Sequence, residues 1–155
     1  MKKIIDHGNG ITQEHTDDDF EIWRKNGEIH RDNDLPATIS DYQEEWYQNG
    51  LQHRDNDQPA VITKDNDRVW KQNGKNHRIG NPAIIRGDNS QEWYENGNLH
   101  RIDGPAIINS DGTEEWWLNG EEMDKSQIEK VILKNKLSNE LPNKKDTGSK
   151  GKGKI

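Results

Sequence analysis

Four histidine–arginine pairs recur along this 155-residue chain, and both residue types can take part in catalysis or ligand binding. The pairs are His30-Arg31, His53-Arg54, His77-Arg78 and His100-Arg101. Histidine transfers protons near neutral pH and binds metals, and arginine binds carboxylates and phosphates. A catalytic site, however, needs unlike groups that converge at one place, whereas these pairs are spaced evenly along the chain. The pattern indicates a repeated structural unit, and we predict that the protein is not an enzyme.

Each pair belongs to a longer unit that begins with tryptophan and has an Asn-Gly dipeptide in between. The four full copies start at Trp23, Trp46, Trp70 and Trp93, and their histidines are His30, His53, His77 and His100. A fifth copy starts at Trp116 but has Met123-Asp124 in place of His-Arg. A Pro-Ala pair follows each full copy, at Pro36, Pro59, Pro82 and Pro105. Successive tryptophans are 23 or 24 residues apart, a period typical of solenoids and other repeat arrays.

Asn-Gly is a strong signal for a two-residue hairpin turn, because a type I′ turn needs positive φ at both central residues. With Asn49-Gly50 as the loop, Trp46 faces His53 and Glu45 faces Arg54. The same register pairs Trp23 with His30, Trp70 with His77, Trp93 with His100 and Trp116 with Met123. We therefore expect each histidine to pack on its tryptophan and to bond the backbone through a ring nitrogen.

A second turn in each unit, clearest at Asp111-Gly112, returns the chain to the next tryptophan. Each repeat then contributes two short antiparallel strands, and proline marks the entrance of the second because it donates no ladder hydrogen bond. The predicted fold class is mainly β: an elongated single-layer antiparallel meander of stacked β-hairpin repeats with a C-terminal capping α-helix.

This geometry argues against a metal site. Equivalent histidines two strands apart lie about 10 Å from each other, which is too far to share a metal ion with bonds of about 2 Å. Asp-Asn-Asp triplets at residues 32–34, 55–57 and 65–67 are oxygen-rich, but none continues into the calcium-binding loop of an EF-hand. We interpret the triplets as turn residues and predict no catalytic, metal or cofactor site.

The unit resembles the MORN repeat in its Trp-x-x-Asn-Gly, its following histidine, a later glycine and an Asp-Gly before the next Glu-Trp. The best copy runs from Trp93 to Trp116, with His100, Gly104 and Asp111-Gly112 in place. The arginine after histidine and the Pro-Ala pair depart from the usual MORN pattern, and the chain is similar to variant repeats in some bacterial antitoxin-like and viral proteins. The resemblance implies an elongated sheet of stacked hairpins. It also implies association with protein partners and, in some members, with acidic lipid.

The chain outside the repeats divides into three segments. Residues 1–19 are an N-terminal cap segment, and the five repeats occupy residues 20–124. In residues 125–142, Ser126 and Glu129 make a capping box before apolar residues at helical spacing, which predicts a helix over 126–140 that covers the last hairpin. Residues 143–155, which are rich in lysine and glycine, are predicted to be a flexible tail.

Charge is distributed unevenly along the chain. Residues 1–124 contain 13 Lys or Arg against 26 Asp or Glu, whereas residues 125–155 contain 9 against 3. The acidic body repels nucleic acid and anionic membranes, so we expect direct binding to neither, apart from a weak attraction through the basic tail. The chain has no cysteine, and we find no signal peptide or membrane-spanning run, so we expect a cytoplasmic location.

Tyr47, Tyr94 and Trp117 each follow a repeat tryptophan and should therefore point to the opposite face of the strand. Exposed aromatic residues are frequent in binding hot spots, so these three are candidate partner-binding residues. The alternative is that the helix or a neighbouring strand covers them.

These observations favour a non-enzymatic protein–protein interaction module that presents an extended acidic sheet surface, with homo-oligomerisation as a further possibility. The alternative is an inhibitor or antitoxin, including a phage-encoded anti-defence protein, that blocks a basic nucleic-acid-binding enzyme by charge mimicry.

Trp70→Ala should lower the free energy of unfolding by about 3 to 5 kcal/mol, because it removes a large side chain from the row of tryptophans. His77→Ala should cost less. Urea unfolding of both variants measures the difference, and equal, negligible losses would contradict a fold built on the tryptophans.

Overall fold

The computed structural model describes residues 2–140. The N-terminal hairpin consists of β1 (Lys3–Gly8) and β2 (Ile11–His15), and the first repeat contributes β3 (Glu21–Lys25), β4 (Glu28–Ile29) and β5 (Thr38–Ile39). The second repeat contributes β6 (Gln43–Glu45), β7 (Tyr47–Gln48), β8 (Leu51–Gln52) and β9 (Val61–Thr63). The third contributes β10 (Arg68–Val69), β11 (Lys71–Gln72), β12 (Lys75–Asn76) and β13 (Ile84–Ile85). The fourth contributes β14 (Gln91–Glu92), β15 (Tyr94–Glu95), β16 (Asn98–Leu99) and β17 (Ile107–Ile108). The fifth contributes β18 (Glu114–Glu115), β19 (Trp117–Leu118) and β20 (Glu121–Glu122), and helix α1 (Lys125–Glu140) follows it.

Twelve of the strands form one main sheet, in the order β1-β2-β3-β5-β6-β9-β10-β13-β14-β17-β18, with β4 paired to β3. The other strands form four separate hairpins, β7-β8, β11-β12, β15-β16 and β19-β20. Neighbours in the main sheet follow one another along the chain and pair antiparallel, as β5, β6 and β9 do. The predicted fold class, a mainly β antiparallel meander of hairpins with a C-terminal helix, is confirmed.

Tryptophan lies at the junction of the two strand systems in the second to fifth repeats. In the second repeat, β6 ends at Glu45 and β7 begins at Tyr47. The Trp46 N–H donates to the Ala60 carbonyl beside the main sheet (2.8 Å), and the Trp46 carbonyl accepts from the His53 N–H of the hairpin (3.0 Å). The second, third and fourth repeats therefore have four short strands each rather than the predicted two, because the chain changes pairing partner at the tryptophan.

The predicted pairing of Glu45 with Arg54 is wrong for this reason. The sequence register extends the hairpin past the tryptophan, but the strand has already left the hairpin at that point. Glu45 instead pairs with Thr38 on one side and Val61 on the other. Arg54 turns back over the ring of Trp46, with its guanidinium carbon 3.8 Å from the ring centroid.

The Asn-Gly turns have the predicted conformation. In the five repeats the asparagine φ lies between 49° and 55° and the glycine φ between 78° and 89°, as type I′ turns require. Tyr47 pairs with Gln52 and Gln48 with Leu51, in the predicted register. From the second repeat onward, each turn glycine also donates its N–H to a carbonyl of the preceding hairpin, at 2.8 to 2.9 Å. Each hairpin is therefore bonded to the next one.

The alanine of each Pro-Ala pair links two successive repeats. All four alanines are fully buried, at 0% exposed. The Ala60 carbonyl accepts from the N–H of its own repeat's Trp46, and the Ala60 N–H donates to the carbonyl of Val69, which precedes the next tryptophan (both 2.8 Å). The same two bonds recur at Ala37, Ala83 and Ala106. Because the alanine side chain is small, the neighbouring strands can pack closely against the backbone at these positions.

Helix α1 follows the last hairpin directly and nearly matches the predicted range of 126–140. Ile128 is 1% exposed, and it is the only side chain of its size among the described residues to be so deeply buried. Leu133 and Leu137 are about half exposed, at 58% and 53%. The helix is therefore anchored at its first turn.

The predicted capping box of Ser126 and Glu129 is wrong by two residues. The Gln127 N–H donates to Asp124 Oδ1 (3.0 Å), and the Asp124 N–H donates to Gln127 Oε1 (2.8 Å). These reciprocal bonds make Asp124 the N-cap. The departure of the fifth repeat from His-Arg thus supplies the carboxylate that starts the helix.

Within the predicted cap segment of residues 1–19, hairpin β1-β2 joins the main sheet through five residue pairs between β2 and β3. The predicted tail of residues 143–155 lies outside the described residues. Between residues 2 and 140, no helix is long and apolar enough to cross a membrane.

Ala60→Leu should lower the free energy of unfolding by about 1 to 3 kcal/mol, because the fully buried site has no space for a larger side chain. Gln72→Leu, at an exposed strand position, is the control. If urea unfolding gives the same stability for both variants, the close packing around the alanines is not required.

Candidate functional site

The arginine of each His-Arg pair covers one face of its own repeat's tryptophan. The guanidinium carbons of Arg31, Arg54, Arg78 and Arg101 lie 3.8 to 4.0 Å from the ring centroids of Trp23, Trp46, Trp70 and Trp93. Each Nη1 also donates to the carbonyl of the proline that follows in the same repeat, at 3.1 to 3.3 Å. The sequence predicted histidine as the residue packed on the tryptophan, whereas the structure places arginine over the ring.

An aspartate of the preceding loop completes this unit in the second and third repeats. Arg54 donates through Nε and Nη2 to both carboxylate oxygens of Asp34 (2.8 and 2.9 Å). The Trp46 Nε1–H donates to the main-chain carbonyl of the same aspartate (3.0 Å). Arg78 and Trp70 bond Asp57 in the same way, at 2.7 to 3.0 Å. The last aspartate of the first two Asp-Asn-Asp triplets therefore joins one repeat to the next.

The paired arginines shift the titration of these aspartates. Hydrogen bonds and charge from Arg54 lower the pKa of Asp34, and those from Arg78 lower the pKa of Asp57. Both carboxylates are about half exposed. The pairs therefore contribute modestly to stability and mainly set the position of each loop.

The fourth repeat uses a different carboxylate because the loop before it, Ile79-Gly80-Asn81, has none. Arg101 Nε donates to Asp103 of its own loop (2.8 Å). In the fifth repeat, Lys125 takes the cationic position, with Nζ 5.5 Å from the ring centroid of Trp116.

The histidines bond the backbone through a ring nitrogen, as predicted. Nδ1 of His30, His53, His77 and His100 accepts the N–H of the turn asparagine of the next repeat, at 3.0 to 3.2 Å. Because Nδ1 accepts, the network assigns the ring proton to Nε2. Nε2 faces Asp32 from His30 and Asp55 from His53, at 2.9 and 3.0 Å. The histidines are thus links between hairpins.

Histidines line clefts beside the loops, either singly or, as His30 and His53 do, in a neighbouring pair. Separate clefts of about 220 to 350 Å³ lie beside the loops, lined by tryptophan, arginine, histidine and aspartate of one repeat or two neighbouring ones. Residues 2–140 contain no group of three or more metal-ligating side chains that could hold an ion. The same residue types of the array line successive clefts.

Tyr47, Tyr94 and Trp117 are half-buried and each donates to a glutamate two residues earlier. The acceptors are Glu45 at 3.5 Å, Glu92 at 3.0 Å and Glu115 at 3.2 Å. Burial and the charge of Glu92 raise the pKa of Tyr94 to about 12. In the two repeats without this glutamate, Ile22 and Val69 take its place, and Arg24 and Lys71 replace the aromatic residue.

The sequence itself contains this co-occurrence of the glutamate with an aromatic residue. In every repeat that has the glutamate, a tyrosine or tryptophan follows it two residues later. A partly buried carboxylate needs a hydrogen-bond donor, and the O–H or N–H of this aromatic residue supplies one. Their binding role stays a prediction, and the structure gives these aromatics a contact within the fold.

Exposed aspartates lie along the edge of the main sheet that is opposite the Asn-Gly hairpins. The turns that join β2 to β3, β5 to β6, β9 to β10, β13 to β14 and β17 to β18 all lie at the edge opposite the hairpins, because the strands alternate in direction. We call six of the exposed aspartates in these turns the acidic turn row: Asp18, Asp19, Asp41, Asp65, Asp88 and Asp111.

The turns of this row support one another. The Lys64 N–H donates to the Tyr42 carbonyl (2.7 Å), and the Tyr42 hydroxyl donates to Asp65 (2.8 Å). Ser110 N–H donates to Ser90 Oγ (3.0 Å). Turn hydrogen bonds lower the pKa of Asp88 and Asp111, so both are anionic at neutral pH.

No protein family model, curated protein or solved structure matches this chain. The likeness to MORN repeats rests on the motif residues.

Asp57→Asn should lower the free energy of unfolding by about 1 kcal/mol or less at pH 7, because Arg78 loses its carboxylate partner. Asparagine keeps the main-chain acceptor for Trp70 and tolerates the φ of 54° at this position. The pKa of Asp57 is lowered in the fold, so its contribution is present above the ordinary carboxyl pKa of 3.8 and is lost as pH falls through the lowered value.

Urea unfolding at pH 7 and pH 3 checks both points, since the difference from wild type should shrink at pH 3. Asp41→Asn is the control, because no ion pair to Asp41 is present among residues 2–140. An undiminished difference at pH 3 would assign the effect to something other than the ion pair.

Proposed function

We propose that the protein is a non-enzymatic interaction module that binds a basic protein through the extended acidic surface at one edge of its sheet. The acidic turn row carries this proposal. It places at least one exposed carboxylate in each of five successive turns, and hydrogen bonds join each of the last four turns to the next. Such a row attracts and orients a basic surface over a long distance.

The use of the repeated residues elsewhere supports this interpretation. Tryptophan, histidine, arginine and alanine recur in every full repeat, and all four are engaged in contacts within or between repeats. The acidic turn row stands apart from those contacts. Among residues 2–140, Asp18, Asp19 and Asp41 form no ion pair, so their charge is available to a partner.

The experiment is affinity capture from an extract of the native host, with mass spectrometry, using matched charge variants. Asp18→Asn, Asp19→Asn and Asp41→Asn together should reduce recovery of the partner about tenfold, because several surface charge pairs of about 0.2 to 1 kcal/mol each are lost. Raising the salt concentration should weaken wild-type binding in the same direction.

Glu28→Gln, Glu121→Gln and Glu122→Gln together are the control. They remove the same charge from exposed positions in the Asn-Gly hairpins, at the opposite edge, and should leave recovery unchanged. If both triple variants lose the partner equally, net charge rather than the acidic turn row is responsible.

The aromatic surface is tested alongside with Tyr47→Phe and Tyr94→Phe together. These changes keep the rings but remove the hydroxyl donors to Glu45 and Glu92. Lower stability with unchanged partner recovery would support a role within the fold, whereas lower recovery at unchanged stability would support a role in binding.

Inhibition of a basic nucleic-acid-binding enzyme by charge mimicry is a second candidate. The observation that favours it is the regular spacing of the carboxylates. Each inner repeat contributes two strands to the main sheet, so the carboxylates of successive turns lie about 10 Å apart along an extended edge. In that case double-stranded DNA competes with this protein for the captured partner, and the partner's nuclease or DNA-binding activity falls when the protein is added. A partner whose capture is insensitive to DNA excludes this candidate.

A further inference from the structure

The first repeat lacks the acidic partner that its neighbours have. Arg54 and Arg78 each bond an aspartate of the preceding loop, and Arg101 bonds an aspartate of its own loop. Arg31 donates through Nη1 to the Pro36 carbonyl (3.1 Å). No carboxylate among residues 2–140 accepts a hydrogen bond from its Nε or Nη2.

The tryptophan of the same repeat is equally incomplete. The Trp23 Nε1–H is buried and has no hydrogen-bond partner among the described residues. The corresponding indoles of Trp46 and Trp70 donate to the main-chain carbonyls of Asp34 and Asp57, both at 3.0 Å. A buried N–H without an acceptor costs about 1 to 3 kcal/mol.

The element before the first repeat explains both observations. Hairpin β1-β2 stands where a preceding repeat would be, and it places His7 on the ring of Trp23, with ring centroids 4.9 Å apart. It does not bring an acidic loop to Arg31. Burial lowers the pKa of Arg31, and the more distant charge of Glu21 offsets this only in part.

A cavity of about 220 Å³ lies at the position of the missing loop. It is lined by Ile11, Trp23, Lys25, His30, Arg31, Asp32, Asn33 and Leu35. The cleft on the second repeat has the equivalent residues Trp46, Gln48, His53, Arg54, Asp55 and Asn56, and its further wall is the loop that carries Asp34. Asp32 in the cavity is bonded by Lys25 and His30, so its charge is largely offset.

We propose that Arg31 and Trp23 form a binding site for a peptide segment that carries a carboxylate. The carboxylate of an aspartate accepts from Nε and Nη2 of Arg31, as Asp34 does from Arg54. A main-chain carbonyl of the same segment accepts from Trp23 Nε1. The guanidinium lines the open cavity, whereas neighbouring side chains must shift for the carbonyl to reach the shielded indole N–H. The site lies apart from the acidic turn row. It binds a negatively charged ligand, whereas the acidic turn row binds a positively charged one.

The probe is an acetylated and amidated peptide Asp-Asn-Asp-Gln-Pro, which copies residues 55–59 of this chain. It is titrated into the full-length protein while the indole N–H signals are followed by NMR, with Trp23→Phe identifying the Trp23 signal. The Trp23 signal should move progressively with a dissociation constant of about 1 mM, which corresponds to about 4 kcal/mol. The other five indole signals should move much less.

Two further ligands define the chemistry. Asp-Asn-Asn-Gln-Pro lacks the carboxylate that Asp57 supplies in the fold, and sodium acetate has the carboxylate without the peptide. Both should bind at least tenfold more weakly than the first peptide. Equal binding by the asparagine peptide would overturn the carboxylate site, and equal binding by acetate would overturn recognition of a peptide segment.

Variants of the protein complete the test. Arg31→Gln should abolish the titration and Arg31→Lys should weaken it at least tenfold, because lysine cannot form the two parallel bonds. Arg68→Gln, an exposed cation on the main sheet, should leave it unchanged. If Arg31→Gln does not fold, as a loss of signal dispersion would show, Arg31→Lys decides the question. Unchanged binding by a folded Arg31 variant would refute the proposal.

Discussion

The contact between arginine and tryptophan, which an aspartate of the preceding repeat completes in the second and third repeats, is the interaction on which the array depends. A single-layer sheet has little interior, so no repeat can bury enough surface by itself. Each full repeat instead covers a tryptophan with its own arginine, and in the second and third repeats the arginine in turn bonds an aspartate carboxylate of the preceding loop at 2.7 to 2.9 Å. The carbonyl of that aspartate satisfies the indole N–H. One short loop thus links aromatic packing, charge pairing and backbone position across the boundary between repeats.

Because of this dependence on neighbours, the residues suited to chemistry have a structural use in the array. Histidine Nδ1 accepts from the next hairpin, and the alanine backbone bonds both its own repeat and the following one. Such contacts hold equivalent side chains at a regular distance, which is the opposite of convergence at one site. The acidic turn row and the N-terminal end of the array lie outside these repeated contacts.

The ends of the array show what happens when a neighbour is missing. At the C-terminal end, Asp124 caps a helix and Lys125 stands near the ring of Trp116, so the last repeat acquires substitute partners. At the N-terminal end, hairpin β1-β2 continues the backbone ladder and His7 covers the first tryptophan. Within residues 2–140, no carboxylate accepts from Nε or Nη2 of Arg31 and no group accepts from Nε1 of Trp23. At this end, hairpin β1-β2 thus continues the backbone hydrogen bonds of the array but not the side-chain contacts of Arg31 and Trp23.

The sequence by itself determined what depends on short-range geometry. Asn-Gly requires a tight turn with positive φ, so the hairpins and their register beside the loop followed directly. The repeat period and the apolar spacing after residue 125 likewise predicted the meander and the helix. The sequence does not identify the N-cap residue correctly, because Asp124 occupies a repeat position. Only the structure shows that the last hairpin ends before Asp124, so that its side chain can cap the helix.

Only the tertiary structure decided which side chains meet across repeats. Arg54 and Asp34 are 20 residues apart, and Asp34 comes before the tryptophan that Arg54 covers. Nothing in the hairpin register connects them, because the strand changes partner at Trp46 and the arginine leaves the face of Glu45. Their meeting depends on the stacking of one loop on the next repeat. Local preferences fix turns and periods within a few residues, whereas the partners of a repeated side chain depend on how the repeats pack together.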